Sequence, residues 1–505
     1  MIILVDFGSQ TAHLIGRRLK DHGVLVKIID SEEALLEIKK EKPKGIILSG
    51  GPASVYASGA PTIDKKIFTL GIPILGICYG WQLTARLLGG KVVGSHKEYG
   101  PANLTVINEN SLLWGVENNS IVWVSHGDTV VTIPQGFTYL GSTESVKAAA
   151  VADLGKKIFG VQFHPEVDHT VFGTQILINF AQNICGLKIT KQTIKIDGII
   201  DSIKRKVGGN IVICAVSGGV DSTVAAALIG KAIGKNLYPI YIESGLMRVG
   251  TKEEVLQIFQ KHLGLTPIIV EAKLKFLSAL KGITDPEEKR KTIGRLYIEI
   301  FEGQAKKLKG VKFLAQGTIY SDVIESKGTK KADKIKSHHN VGGLPDEMNL
   351  ELLEPLRDFY KDEVRLIGEK LGLPKEVVFK QVFPGPGQAI RIIGEVTEER
   401  LEKQQQADAI VLEEIKKADL YEKVYMSFAI LTNTKSTAVK GDERAYFEVM
   451  AIRIIESKDV MTTVWSKLPY DILQRISSRI VNEVPGISRV VYDITTKPPA
   501  TMEWE

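Results

Sequence analysis

A cysteine between two glycines is the first group in the chain that could do chemistry. The segment Gly76-Ile77-Cys78-Tyr79-Gly80 follows an apolar run and opens a helical pattern, so it has the form of a strand-to-helix elbow that exposes a nucleophile. The N-terminus of the following helix favours the thiolate, which is the reactive form of cysteine. The alternative is that Cys78 is a small core residue without a chemical role.

A base for this nucleophile is predicted in Phe163-His164-Pro165-Glu166, at the end of an apolar run. A strand that ends before proline places His164 on a loop at the sheet edge, and Glu166 could hold the imidazole in one tautomer. Two alternatives stay open at this point. His164, Glu166 and His169 could be metal ligands, or the segment could be a solvated polar loop.

Two glycines at a third predicted strand end could supply backbone donors. Ser49-Gly50-Gly51-Pro52 can expose its N–H groups, and together with the N–H of Tyr79 these could form an oxyanion hole. Taken alone, the motif is also that of an ordinary turn.

A second glycine-rich turn suits an anion rather than a nucleophile. It lies between a predicted buried strand and a helix, where glycine lets the backbone approach a phosphate and the helix N-terminus adds positive charge. It lacks the lysine of a Walker loop. Its members are Ser217, Gly218, Gly219, Val220, Asp221, Ser222 and Thr223.

The ordered set SGGP, GICYGWQ and FHPE resembles the class I glutamine amidotransferases over about the first 187 residues. The resemblance implies that Cys78 attacks the amide of glutamine, that His164 shuttles protons and that Glu166 orients His164. It also implies that Gly51 and Tyr79 supply the oxyanion donors. Gln82, in the same motif, is the residue expected to hold glutamine.

The sequence SGGVDS after a strand resembles the signature of the ATP pyrophosphatases. The resemblance implies that this loop binds the β,γ-diphosphate of ATP and that Mg²⁺ shields the phosphates. Asp221 is the residue expected to help place Mg²⁺, although an aspartate here could equally cap the helix. Lys336, in KSHHNVGGLP, is expected to close over ATP on a mobile segment.

Along the whole chain, the order of GICYG, FHPE, SGGVDS, KSHHNVGGLP, FPGPGQAIR, GISRVVYDIT and KPPATMEWE is similar to that of the glutamine-hydrolysing GMP synthetase family. This implies amination of XMP to GMP with glutamine and ATP, and no organic prosthetic group. The family pattern assigns XMP contacts to Arg290, Lys497 and Glu503. It also implies a homodimer formed through the last domain.

The elements that must position these residues alternate between strand and helix. Strands near 2–5, 24–29, 45–48 and 73–78 and the helices between them predict a doubly wound parallel sheet, and strands near 210–216, 238–242 and 311–315 predict a second one. The stiff turn at 384–387 precedes a helix–strand pattern typical of an α+β module. We therefore predict an α/β chain with domains 1–187, 188–383 and 384–505, the last for dimerisation.

Length and composition agree with this organisation. The 505 residues correspond to roughly three domains at about 150 each, and the 44% hydrophobic and 25% charged content is that of a globular chain. Lys plus Arg exceeds Asp plus Glu by 65 − 59 = +6, which is too mild to indicate a nucleic-acid partner. Three scattered cysteines predict a reducing cytoplasm, and no leader or membrane span is expected.

Three other functions are compatible with parts of this pattern. An amidotransferase of the same build could act on a non-purine acceptor. A tRNA-thiolating protein with the same phosphate loop would more often show a CxxC pair and a basic tail, which this chain lacks. A non-catalytic scaffold would not need an intact Cys78, His164 and Glu166 set.

Overall fold

The computed structural model divides the chain into two compact units, one formed mainly by Met1–Thr193 and one mainly by the chain from Ile194 to Glu505. The residues it describes are 1–9, 11–94, 97–108, 110–190, 194–308, 310–320, 322, 350–440, 443–457, 462–497 and 499–505. Lys336, the residue expected to close over ATP, lies outside them.

The first unit is built on a nine-stranded sheet in the order β2-β1-β3-β4-β11-β10-β9-β6-β7. Strands β1 to β4 and β11 are parallel neighbours, whereas β10, β9, β6 and β7 continue the sheet in antiparallel fashion. A separate antiparallel pair joins β5 and β8. The strands are β1 (Ile2–Asp6), β2 (Val26–Asp30), β3 (Gly45–Leu48), β4 (Ile74–Ile77), β5 (Lys91–Val93), β6 (Glu98–Val106), β7 (Ser120–His126), β8 (Thr129–Thr132), β9 (Thr138–Ser142), β10 (Ala150–Asp153) and β11 (Ile158–Val161).

The parallel strands of this sheet are covered on both faces. In β1, Ile2 and Leu4 join one hydrophobic core, and Ile3 and Val5 join the other. A strand buried on both sides reads as a continuous apolar run, which is why Ile2 to Val5 has no polar residue. The α-helices of the unit are Ala12–Lys20, Ala34–Glu41, Tyr79–Leu87 and Gly173–Asn179.

The second unit contains an all-parallel five-stranded sheet in the order β14-β13-β12-β15-β16. Its strands are β12 (Ile211–Ala215), β13 (Leu237–Glu243), β14 (Ile268–Glu271), β15 (Val311–Ala315) and β16 (Glu351–Leu353). Its described α-helices are Ile196–Val207, Val220–Ile233, Thr251–Ile258, Lys273–Leu280, Pro286–Ala305, Lys361–Lys370 and Lys375–Val378.

The C-terminal part of the second unit has a four-stranded mixed sheet. β17 (Met426–Lys440) and β18 (Glu443–Glu456) form a long antiparallel hairpin, β19 (Val464–Trp465) pairs antiparallel with β18, and β20 (Ile487–Tyr492) pairs parallel with it. The helices Glu398–Lys417 and Tyr470–Glu483 pack with this sheet.

The mixed α/β character and the large parallel sheets predicted from the sequence are confirmed. The division into three domains stays a prediction. One hydrophobic core runs from Ile213 and Ile240 of the parallel sheet to Ile452 and Ile476 of the C-terminal part. No helix among the described residues is long and apolar enough to cross a membrane.

Candidate active site

The backbone at Cys78 is bent into a conformation that few residues adopt. Cys78 joins β4 to the helix Tyr79–Leu87 with φ 48° and ψ −106°, and such a positive φ is costly for a residue with a side chain. Gly80 lies against the backbone of β3, where a Cβ atom would collide with the carbonyl of Leu48. The glycine motif therefore does form the sharp elbow predicted from the sequence.

The predicted base and its orienting acid lie together at this elbow. His164 Nδ1 is 2.7 Å from Glu166 Oε1, and Glu166 is fully buried. The Cys78 side chain is near enough to the same imidazole to act on its charge. The structure thus brings Cys78, His164 and Glu166 together, with a hydrogen bond between the last two.

The charges of Glu166 and Cys78 favour the protonated form of His164. Burial lowers the pKa of His164, but the Glu166 carboxylate and then the Cys78 thiolate oppose burial and raise the pKa well above its ordinary value. An imidazolium next to a thiolate is the activated form of a cysteine nucleophile.

Two further cysteines of the protein have thiols that burial keeps protonated. Burial raises the pKa of the Cys185 thiol and of the Cys214 thiol to about 12. Neither thiol is therefore ionised at neutral pH, which is typical of structural cysteines.

Thr11 is a member of this site that the sequence interpretation missed. Its hydroxyl donates a hydrogen bond to Glu166 Oε1 at 2.6 Å, so this oxygen makes hydrogen bonds with both Thr11 and His164. The Thr11 hydroxyl also lies 3.0 Å from the Ser9 hydroxyl. A threonine before an apolar helical pattern is a helix-cap signal, but nothing in the local sequence indicates that it contacts Glu166.

The Ser49-Gly50-Gly51-Pro52 turn lies beside the imidazole. Gly50 faces the ring, since a Cβ atom there would be 3.0 Å from His164 Cε1. The Ser49 hydroxyl accepts from the N–H of Phe7 at 3.0 Å and holds the turn in place. In the described part of the chain, the N–H groups of Gly51 and Tyr79 donate to no protein acceptor, as an oxyanion hole requires.

The end of β7 and the turn after it also reach this site, and sequence interpretation missed them. The Ser125 carbonyl is 3.8 Å from Cys78 Sγ, and the buried Gln82 donates through Nε2 to the Asp128 carbonyl at 2.7 Å. Polar residues at the end of a buried strand and just after it, as in Ser125 to Asp128, are the signal that could have found it.

The predicted phosphate loop follows β12 and enters the helix Val220–Ile233. Gly218 has φ 77°, and a Cβ atom there would be 2.9 Å from the methyl group of Thr251, so this position requires glycine. The Ser222 hydroxyl accepts from the N–H of Ser217 at 3.2 Å, and that of Thr223 donates to the Gly219 carbonyl at 2.8 Å. These bonds close the turn before any phosphate binds.

Two lysines that sequence interpretation missed contact this loop. Lys361 Nζ lies 2.7 Å from both carboxylate oxygens of Asp221. Lys380 Nζ donates to the Gly218 carbonyl at 3.1 Å and to Glu254 at 2.6 Å. Burial lowers the pKa of Lys380, and Glu254 opposes this. Both lysines place positive charge beside the loop, and each is paired with a carboxylate, Lys361 with Asp221 and Lys380 with Glu254.

The fit of Mg²⁺ to Asp221 is poor in this arrangement. Both of its oxygens are taken by Lys361, and the described residues contain no cluster of three or more histidine, cysteine or carboxylate side chains that could hold a metal ion. The same finding gives no support to the metal alternative for His164, Glu166 and His169. Asp221 as a Mg²⁺ ligand stays a prediction.

The three residues predicted to bind XMP lie in or next to the C-terminal segment 499–505. Glu503 belongs to this segment, Arg290 contacts it, and Lys497 is near it in sequence. The Arg290 guanidinium donates to the backbone of Glu505. Glu503 is held by Arg391, with Nη2 2.9 Å from Oε1. Lys497 pairs through its backbone with Thr463, at 3.0 Å in each direction. Their roles toward XMP stay predictions.

Known proteins match this chain along its full length. The class-I glutamine amidotransferase family matches residues 3–184, and the family described as GMP synthase C terminal domain matches residues 413–504. The glutamine-hydrolysing GMP synthase of Aquifex aeolicus is 53% identical over 508 residues, which cover 100% of this chain and 99% of the relative. The chain belongs to the glutamine-hydrolysing GMP synthase family.

A second member of this family, from Clostridium novyi, is 50% identical over 507 residues, with 100% of this chain and 99% of the relative covered. The family resemblance and the enzyme class expected from the motifs, a carbon–nitrogen ligase with glutamine as amide donor, are therefore confirmed. The first unit contains the whole amidotransferase match.

Proposed function

We propose that this chain converts XMP to GMP, with nitrogen from glutamine hydrolysed at Cys78, His164 and Glu166, and with ATP as the activating substrate. The observation that carries the proposal is that the strained Cys78 lies beside His164, which is hydrogen-bonded to Glu166 at 2.7 Å. Membership of the GMP synthase family supports the choice of substrates.

In the first half-reaction, the Cys78 thiolate attacks the amide carbon of glutamine. The N–H groups of Gly51 and Tyr79 stabilise the oxyanion that develops on the carbonyl oxygen. His164 donates a proton to the amide nitrogen, ammonia leaves, and a glutamyl thioester forms on Cys78. His164 then takes a proton from water, which attacks the thioester and releases glutamate. Gln82 helps to hold the glutamine substrate.

In the second half-reaction, the C2 oxygen of XMP attacks the α-phosphorus of ATP and pyrophosphate leaves. The loop from Ser217 to Thr223 holds the departing phosphates through backbone N–H groups and hydroxyls, and the helix N-terminus behind it favours their negative charge. Ammonia then adds at C2 of the adenylylated purine, and AMP leaves to give GMP. Lys336 closes over ATP.

The nucleotide contacts of the proposal lie in the second unit. Arg290, Lys497 and Glu503 bind XMP, and the C-terminal part joins two chains into a homodimer. Mg²⁺ accompanies ATP to offset phosphate charge, with Asp221 as its predicted neighbour. No step is assigned to Mg²⁺, and no organic prosthetic group is required.

The experiment that tests the acceptor uses ammonium in place of glutamine. AMP and pyrophosphate are measured with ATP and each of XMP, IMP, UMP and aspartate. We expect stoichiometric AMP, pyrophosphate and GMP with XMP and no turnover with the others. Turnover with a different acceptor but not with XMP would contradict the proposal. Salt-sensitive binding of tRNA without turnover of XMP would favour the thiolation alternative instead.

A further inference from the structure

Arg391 is a buried arginine that holds one glutamate of the C-terminal segment. It ends the 3₁₀ turn Gly387–Arg391 and has no exposed surface. Its Nε donates to Glu503 Oε2 at 3.0 Å, and its Nη2 donates to Glu503 Oε1 at 2.9 Å. A planar guanidinium bound in this two-pronged way fixes both the position and the plane of a carboxylate.

Asp408, on the helix Glu398–Lys417, is a second carboxylate beside Arg391. Its Oδ1 lies 3.5 Å from Arg391 Nη1, an ion-pair distance at which the two atoms form no hydrogen bond. Its Oδ2 accepts from Gln388 Nε2 at 3.0 Å and from Arg248 Nε at 2.7 Å. A buried carboxylate with this many donors is confined to one orientation, so Asp408 gives Arg391 a fixed counterion.

Two aromatic rings pack against the same guanidinium. Arg391 lies 3.9 Å from the ring centre of Phe428 and 4.8 Å from that of Phe383. Contacts of this kind are favourable for a cation that has left water. The side chain of Arg391 is therefore enclosed by rings and carboxylates, and it has no surface of its own to offer a ligand.

Glu503 differs from Arg391 because it reaches solvent. Its side chain keeps 13% exposure. The backbone beside it is held separately by the buried Arg453, which donates to the carbonyls of Met502 at 3.0 Å and Thr501 at 2.8 Å. The segment thus has one support for its backbone and another for the Glu503 carboxylate.

We propose that Arg391 is a positioning residue for the XMP site, which acts only by holding the Glu503 carboxylate in its binding orientation, with Asp408 as its counterion. This rests on the proposed function, in which Glu503 contacts XMP. The carboxylate would accept hydrogen bonds from the N–H groups of the xanthine base. Its fixed plane would match two donors at once, which a freely rotating glutamate would do less well.

The test measures the Kd of the full-length protein for XMP and, separately, for ATP by titration calorimetry. Arg391→Lys keeps the positive charge but loses the paired hydrogen bonds of the guanidinium to Glu503. We expect this variant to weaken XMP binding by roughly 10-fold, while the Kd for ATP changes less than about twofold. Glu503→Gln is expected to weaken XMP binding at least as much. Arg475→Lys, which alters an exposed arginine paired with Glu414 and Asp471, is the matched control and should change neither Kd.

The double variant Arg391→Lys with Glu503→Gln decides whether the two residues act as one unit. If Arg391 acts through Glu503, the double variant binds XMP no more weakly than Glu503→Gln alone. If the two losses multiply, Arg391 has an independent effect and the proposal is overturned. Normal XMP affinity in Arg391→Lys, beside weakened affinity in Glu503→Gln, overturns this inference and leaves the proposed function standing.

Normal XMP affinity in Glu503→Gln would instead remove the assignment of Glu503 itself. Folding of each variant is checked by its melting temperature and by its ATP affinity. Should Arg391→Lys not fold, Asp408→Asn releases the counterion without changing side-chain volume. We then expect XMP binding to weaken by about 3-fold, and unchanged binding in that variant overturns the proposal.

Discussion

The two units build their sites in different ways. In the first, Cys78 lies beside His164, and His164 is hydrogen-bonded to Glu166, so the three side chains are already together beside backbone donors. In the second, cations around the predicted nucleotide sites are neutralised by carboxylates of the same chain. Lys361 pairs with Asp221 at 2.7 Å, and Arg391 pairs with Glu503 at 2.9 Å.

This difference follows from the chemistry that each site is proposed to perform. Covalent catalysis needs a nucleophile and a base that are aligned before the substrate arrives. Binding of polyanions needs positive charge, and positive charge placed without a partner inside a protein is costly. The second unit has ion pairs at both predicted nucleotide sites. In the proposed function, one ion pair orients a binding carboxylate and the other contains a lysine that can bind a phosphate.

The largest effect is expected from His164→Asn. Without a base, the Cys78 thiol is no longer activated, and glutamine hydrolysis should fall by roughly 10³-fold or more. Ammonia-dependent GMP formation should persist, because the second unit is unchanged. The measurement is glutamate release beside GMP formation with ammonium. Glutamine hydrolysis near the wild-type rate would show that Cys78, His164 and Glu166 are not the catalytic residues.

The next effect concerns the ion pair at the phosphate loop. Lys361→Met leaves the Asp221 carboxylate uncompensated beside the predicted phosphates, so the KM for ATP should rise by about 10-fold or more. The rise should be equal with glutamine and with ammonium as nitrogen donor, and pyrophosphate release measures both. Lys361→Arg is the control that keeps the charge. An unchanged KM for ATP in Lys361→Met would mean that this lysine only supports the loop.

Thr11→Val tests the support behind Glu166. Loss of the 2.6 Å bond from the Thr11 hydroxyl leaves Glu166 free to rotate away from His164, and we expect a fall in kcat for glutamine of about 10-fold with little change in KM. Thr11→Ser keeps the hydroxyl and should restore most of the activity. Equal losses in the valine and serine variants would assign the effect to packing.

The smallest effect is on stability as a function of pH. The pKa of His164 is raised in the folded protein, because the Glu166 carboxylate and the Cys78 thiolate outweigh burial. Its stabilisation is therefore full below the unfolded value of about 6.5 and is lost as pH rises through the higher folded pKa. The melting temperature of the wild type minus that of His164→Asn should be largest near pH 6 and shrink at alkaline pH. A difference that is constant with pH would contradict this assignment of charge.

The sequence was most informative where the residues of a site are consecutive in the chain. The glycine elbow around Cys78 and the predicted phosphate loop at 217–223 are each formed by consecutive residues, and each lies between a strand and a helix as predicted.

Contacts between distant residues could not be predicted in this way. Thr11 and Glu166 are 155 positions apart, and Arg391 and Glu503 are 112 apart. The strand Met426–Lys440 was missed. Its first half, with Phe428 and Ile430, is buried on both faces, whereas its outer half is polar and exposed, so no single pattern runs along its length. The helix Pro286–Ala305 was also overlooked, although Asp285 before Pro286 is a helix-start signal, and Asp285 does cap the helix.

The most direct test of the two-site account is the nitrogen donor used by Cys78→Ala. We expect glutamine-dependent GMP synthesis to fall to background, while synthesis with saturating ammonium stays within about twofold of the wild type, because only covalent catalysis is lost. Cys185→Ala, which changes an un-ionised cysteine of the same unit, should keep both activities. Loss of both activities in Cys78→Ala, or undiminished use of glutamine, would contradict the account.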